Sequence, residues 1–192
     1  MSKLYDSDAI LKLEIKSHKL VNARFVASAF ADERPGAEIS LLVIHNISLP
    51  AGHFGTRYVP ELFTGEINPD SHPDLEDLAG VKVSSHLFID RPGGVTQFVE
   101  FDRRAWHAGA SEYNGRTACN DFSIGIELEG TDDSGYSALQ YQVLSSICTA
   151  LMLEYGIGLE SIVGHSDIAP GRKTDPGRSF NWHGFRETLG PG

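Results

Sequence analysis

Residues 123–129 carry the sharpest periodic signal in the chain. Ile124, Ile126 and Leu128 fall on one side, and Gly125, Glu127 and Glu129 on the other. That is the two-residue repeat of a β-strand. Residues 84–90 and 95–101 also alternate apolar with polar positions, on either side of Arg91-Pro92-Gly93-Gly94, and this predicts an antiparallel hairpin. The uninterrupted apolar run Leu41-Leu42-Val43-Ile44 predicts a buried strand, and Ile162-Val163 a shorter one. Over residues 138–155 the period changes to that of a helix. Leu139, Val143, Leu144, Ile147, Ala150 and Leu151 form its expected apolar stripe, and Gly156 supplies the stop. Shorter helices are expected over 59–63 and 182–189.

Between these elements, residues 31–38, 49–57, 65–80 and 167–178 are rich in Gly, Pro, Asp or His and read as loops. Loops as long as 65–80 are uncommon in compact domains and are often functional. Strands and helices follow one another without regular βαβ alternation. The expected fold is α/β of the mixed α+β kind, a single central mixed β-sheet flanked by helices.

The chain has 192 residues, 41% of them hydrophobic, enough for one domain spanning 1–192 with a real core and too apolar for wholesale disorder. Its 16 Lys and Arg against 26 Asp and Glu give a formal charge of −10. The densest cationic runs are Arg103-Arg104 and Arg172-Lys173, so nucleic acid is not an expected partner. Cys119 and Cys148 are too few for a disulfide framework. Residues 1–9 lack a basic stretch leading into an apolar core, and no run approaches the ~20 apolar residues of a membrane span. The expectation is a soluble, cytoplasmic protein that does not insert into membranes.

His18, His53, His72 and His183 sit in polar or loop-like stretches and read as solvated surface histidines. His45 and His165 differ, because each ends a short apolar strand. Asp175 follows ten residues after His165, in a loop stiffened by Pro170 and Pro176. Two strand-end histidines and a loop carboxylate can supply three ligands to zinc and leave a fourth position open. On spacing alone they equally read as two core-edge histidines and an Asp-Pro-Gly turn. Glu127, mid-strand, is either a partly buried general base with a raised pKa or part of the wet face of an antiparallel sheet. Trp106-His107-Ala108-Gly109 suits a ligand-contacting loop as well as an ordinary turn. There is no His-Glu-x-x-His, phosphate-binding loop, nucleophile elbow or Cys-x-x-Cys.

Several longer stretches carry a resemblance. They are Val43-Ile44-His45-Asn46-Ile47-Ser48, Leu62-Phe63-Thr64-Gly65, Val83-Ser84-Ser85-His86, Arg104-Ala105-Trp106-His107-Ala108-Gly109, the segment from Cys119-Asn120-Asp121 to Glu129-Gly130, and that from Gly164-His165-Ser166-Asp167 to Asp175-Pro176-Gly177. In this order they resemble the zinc-dependent N-acetylmuramoyl-L-alanine amidases, the superfamily that includes the peptidoglycan recognition proteins. Within it the chain is most similar to the cytosolic members that act on 1,6-anhydro-N-acetylmuramyl peptides. The match covers about residues 41–185, leaving 1–40 as an N-terminal lead-in.

The resemblance implies zinc (Zn2+) held by His45, His165 and Asp175, Glu127 as general base, and Lys173 serving the transition state. It implies that Asn46 contacts substrate and that Trp106 and His107 line the groove. Lys82 stands where an arginine is expected and Ala118 where a basic residue is expected, which leaves Lys82 and Arg116 as the cationic candidates for a substrate carboxylate. The implied partner is a small muropeptide. The implied reaction is hydrolysis of the bond between the lactyl group of muramic acid and L-alanine, in peptidoglycan recycling. The alternatives are a non-cutting fragment-binding module and the same chemistry on intact wall. A His-His-carboxylate set also occurs in non-haem iron oxygenases.

Overall fold

The computed structural model describes residues 13–190. The readings of residues 1–9 and of the start of the lead-in lie outside that range. Six strands form the main sheet: Arg24–Phe25 (β1), Leu41–Ile47 (β2), Leu87–Ile89 (β3), Val95–Gln97 (β4), Ser123–Glu129 (β5) and Ile162–Gly164 (β6). Their order across the sheet is β6-β2-β5-β3-β4-β1. All neighbours run parallel except β3 and β4, which form the expected hairpin with regular pairing confined to three residues on each strand. The helices are Tyr58–Thr64 (α1), Ala138–Tyr155 (α2), His165–Ile168 (α3) and Trp182–Thr188 (α4). The mixed sheet flanked by helices is the fold read from the sequence. Among the described residues, no helix is long and apolar enough to cross a membrane.

β5 lies between two parallel neighbours, and every one of its seven residues is buried. Its alternation therefore separates two buried faces, and the wet-face reading of Glu127 is wrong. On one face, Leu42, Ile44, Ile124, Ile126 and Leu128 pack against Leu144, Ile147 and Leu151 of α2 and Phe185 of α4. Burying each such aliphatic chain contributes about 1.5–3 kcal/mol. On the other face, Leu41 and Val43 meet Ala108, Phe122 and Ile168, while Val59, Leu62 and Phe63 of α1 cover Phe88 and Phe98. The polar members His45, Gly125 and Glu127 occupy this second face.

α2 starts on a capping box, with Ser137 accepting from Gln140 N and the Gln140 side chain accepting from Ser137 N, and it ends at Gly156 in a left-handed conformation. Its buried stripe is rotated from the expected one. Leu139 is 52% exposed and Gln140 fully buried. The Gln140 amide donates to Ile89 O and Glu129 O, closing the ends of β3 and β5.

Three expected loops contain structure. Ala31–Glu33 pairs antiparallel with Arg103–Ala105. Two 3-10 turns, Pro69–Ser71 and Pro73–Leu78, lie in the connection after α1. α3 opens the segment that leads to Asp175. The lead-in is also built into the fold, since β1 forms an edge of the main sheet.

Candidate active site

The register of three parallel strands creates the site. Glu127 on β5 is opposite His45 on β2, and Ile44 beside His45 is opposite Gly164, so His165 emerges one residue later at the start of α3. The loop after α3 returns Asp175 to the same point, where Ser166 N donates to Asp175 O at 3.0 Å. His45 Nδ1, His165 Nδ1 and Asp175 Oδ2 form a triangle with sides of 3.0, 3.0 and 3.1 Å.

The donor set fits a zinc ion. Bonds of about 2.0–2.1 Å to nitrogen and oxygen place tetrahedral ligand atoms about 3.3 Å apart, close to this spacing. His165 Nε2 donates to Ala108 O at 3.1 Å, which leaves its Nδ1 lone pair facing the triangle. Arg172 donates to the same carbonyl at 2.7 Å. Burial lowers the His45 pKa to about 4, with Asp175 opposing the shift. Burial alone would raise Asp175, but the adjoining His165 and His45 rings outweigh it and hold the carboxyl well below the usual range. A neutral imidazole at His45 and an ionised carboxylate at Asp175 are the forms a metal requires.

Glu127 is 8% exposed, and among the described residues its Oε2 is the one buried side-chain nitrogen or oxygen without a hydrogen-bond partner. Burial pushes its carboxyl well above the usual range, Asp175 adds to the shift, and Lys173 opposes it. An unsatisfied buried carboxyl costs stability, so its position calls for a chemical reason. Glu127 borders a cleft of about 470 Å³ together with His45, His165, Asp175, Lys173, Asn46 and His107.

The other expected site residues divide. Asn46 and His107 line the cleft, with the Asn46 amide donating to Asp132 Oδ1 at 2.8 Å. Trp106, Lys82 and Arg116 are not among the lining residues. Trp106 stacks on Phe30 at 6.1 Å. Arg116 makes a bidentate pair with Glu38 at 2.8 and 3.0 Å and lies over the Phe122 ring. Lys82 is exposed next to Val83, which does line the cleft.

Two residues with no role in the sequence reading lie beneath the site. His86 is fully buried, accepts from Gly125 N and contacts Arg103 O. Arg34 reaches in to donate to Phe101 O, Asn120 O and Ser123 O. Its partners are distant in sequence, so no local pattern could have announced it.

A sheet edge that gathers two buried histidines, an ionised carboxylate and a buried, unsatisfied glutamate beside an open cleft has the parts of a metal-dependent hydrolase. Residues 35–178 match the family model described as N-acetylmuramoyl-L-alanine amidase, and the chain belongs to that family. Among individual relatives, it is 53% identical over 171 residues to the 1,6-anhydro-N-acetylmuramyl-L-alanine amidase AmpD of Salmonella typhimurium, covering 88% of this chain and 91% of that protein. The enzyme of the same name from Escherichia coli is 53% identical over 168 residues, covering 87% and 92%. The crystal structure of a selenomethionine AmpD derivative superposes with a TM-score of 0.89 at 50% identity, over 92% of this chain and 99% of that one. The amidase AmiD of Escherichia coli, solved with the substrate anhydro-N-acetylmuramic acid-L-Ala-D-γ-Glu-L-Lys, superposes at 0.58 with 30% identity, over 92% of this chain and 65% of that one.

Proposed function

We propose that this protein is a zinc-dependent 1,6-anhydro-N-acetylmuramyl-L-alanine amidase of peptidoglycan recycling. It hydrolyses the amide between the lactyl group of the anhydro-sugar and the L-alanine of the stem peptide, acting on soluble fragments in the cytoplasm. The observation that carries this reading is Glu127, a buried carboxyl with a free oxygen beside the His45–His165–Asp175 triangle.

Zinc, when bound there, supplies a Lewis acid that can lower the pKa of water from 15.7 to about 7. Glu127 takes a proton from the attacking water and delivers it to the leaving amine, a task suited to a carboxyl whose pKa burial raises well above the usual range. The Lys173 ammonium, in the same cleft, stabilises the negative charge that builds on the carbonyl oxygen. Water adds its hydroxyl to the lactyl carbonyl carbon, the C–N bond breaks, and a carboxylic acid and a free peptide amine result. Asn46 contacts substrate from the strand that carries His45, and Lys82 reaches the bound peptide from the rim beside Val83.

The test combines chelation with one substitution. Chelated protein should lose turnover and regain it on addition of zinc, while Glu127→Gln should keep zinc and lose turnover. A chelated protein that still cuts would remove the metal from the reaction.

A further inference from the structure

His107 was read above as a residue of the substrate groove, but both its ring nitrogens are engaged inside the protein. Nδ1 lies 2.9 Å from His45 Nε2, and Nε2 lies 3.1 Å from Ser123 Oγ. The ring sits edge to face against His45, with centroids 5.0 Å apart. Its slot is built into the sheet. A Cβ on Gly125, in the middle of β5, would stand 2.5 Å from His107 Cγ, so the ring lies where only a glycine strand leaves room.

The proton count along this line has two self-consistent solutions. In one, the Ser123 hydroxyl donates to His107, His107 Nδ1–H donates to His45 Nε2, and the remaining His45 proton sits on Nδ1, facing Asp175. In the other, every bond reverses: His45 Nε2–H donates to His107 Nδ1, His107 Nε2–H donates to Ser123 Oγ, and His45 Nδ1 is bare. Only the second leaves a lone pair facing His165 and Asp175, as a ligand must. It requires an acceptor at the position of His107 Nδ1. His165 achieves the same end with a fixed acceptor, the Ala108 carbonyl.

We infer that His107 is a positioning residue for the metal centre: it accepts the Nε2 proton of His45, passes the bond on to Ser123, and so fixes the tautomer in which His45 can bind a metal. The inference rests on the metal site of the proposed function and assigns His107 a role other than touching substrate. Hydrogen-bond partners of metal-binding histidines commonly change affinity by 10–100-fold.

The test is competition for zinc against a chromophoric chelator, with no turnover required. Asn carries its amide oxygen where imidazole carries Nδ1, whereas Gln carries its amide nitrogen where imidazole carries Nε2. His107→Asn should therefore keep zinc affinity within a few-fold of the wild type. His107→Gln, which leaves the His45 proton without its acceptor, should weaken it by about 10–100-fold. Ser123→Ala, a smaller change should the others fold poorly, should weaken it in the same direction by less. If His107→Gln and Ser123→Ala bind zinc as tightly as the wild type and His107→Gln only raises KM, His107 is a substrate contact and the inference fails. A wild-type protein that binds no zinc would overturn the metal centre itself, a separate result.

Discussion

Glu127 and His45 are direct neighbours across the β5–β2 register, so the carboxyl proposed to handle the proton and an imidazole proposed to bind the metal are held by adjacent strands rather than by loops. A strand-borne pair keeps its spacing when the loops around the cleft move. This register predicts separable effects. Glu127→Gln should lower kcat by about two to four powers of ten without loss of zinc. It should also leave the fold at least as stable at pH 7, because a neutral amide replaces a buried carboxyl that has an unsatisfied oxygen. Steady-state kinetics, metal analysis and a urea titration of one preparation check all three.

The buried histidines predict the acid stability of the metal-free protein. Burial and the neighbouring Arg34 charge hold His86 well below its ordinary pKa, burial and His45 do the same for His107, and burial takes His45 to about 4. As pH falls through 6.5 the unfolded chain binds these protons first, so unfolding is favoured and stability drops by about 1.4 kcal/mol per pH unit for each group. Glu127 works in the opposite sense, because its raised pKa lets the folded state bind a proton first. The three histidines outweigh it. Stability should therefore fall between pH 6.5 and about 5 by roughly 3 kcal/mol per unit, measured by urea denaturation of chelated protein. His86→Asn should flatten that slope by about 1.4 kcal/mol per unit.

Gly177 sits two residues after Asp175 with φ of 82°, and a Cβ there would lie 2.1 Å from Asp132 Cα. The backbones are locked at this crossing, where Ser179 N donates to Asp132 O and the Tyr136 hydroxyl to Pro176 O. Gly177→Ala should push the Asp175 loop outward and weaken zinc binding, with a stability loss above the ~1 kcal/mol typical of strain at a left-handed glycine. Gly171→Ala is the control, since its φ is also positive but open space surrounds it. It should cost only the backbone strain and leave zinc affinity unchanged, as calorimetry and chelator competition would show.

Gln140 predicts a stability effect remote from the chemistry. Gln140→Leu removes the donor to Ile89 O and Glu129 O and should cost about 1–3 kcal/mol. Leu139→Gln, on the exposed side of the same turn, should change stability by less than about 0.5 kcal/mol. Thermal denaturation of the two variants checks the rotated helix face.

That rotation shows where reading the sequence stops. The bounds of α2 were legible because local chemistry sets them: a serine cap at one end and a left-handed glycine at the other. Its buried face was not, because Gln140 is drawn inward by carbonyls of strands that no helical pattern can see. β5 gives the same lesson. Its alternation was plain, but that both faces are buried depends on parallel neighbours from residues 41–47 and 87–89. Strand-end positions and spacing marked His45, His165 and Asp175 as one possible ligand set beside an equally good structural reading, and motif resemblance chose between the two. Arg34, His86 and the links through His107 are tertiary contacts spanning 16 to 89 positions, and they leave no local trace.

The most direct test of the account is hydrolysis of a 1,6-anhydro-N-acetylmuramyl tripeptide in water enriched in ¹⁸O, followed by mass spectrometry of both products. Zinc-loaded protein should release unlabelled tripeptide with a free amino terminus and 1,6-anhydro-N-acetylmuramic acid carrying one ¹⁸O in its lactyl carboxyl. Release of a shorter peptide, label in the peptide fragment, or no cleavage by protein shown to hold zinc would contradict it.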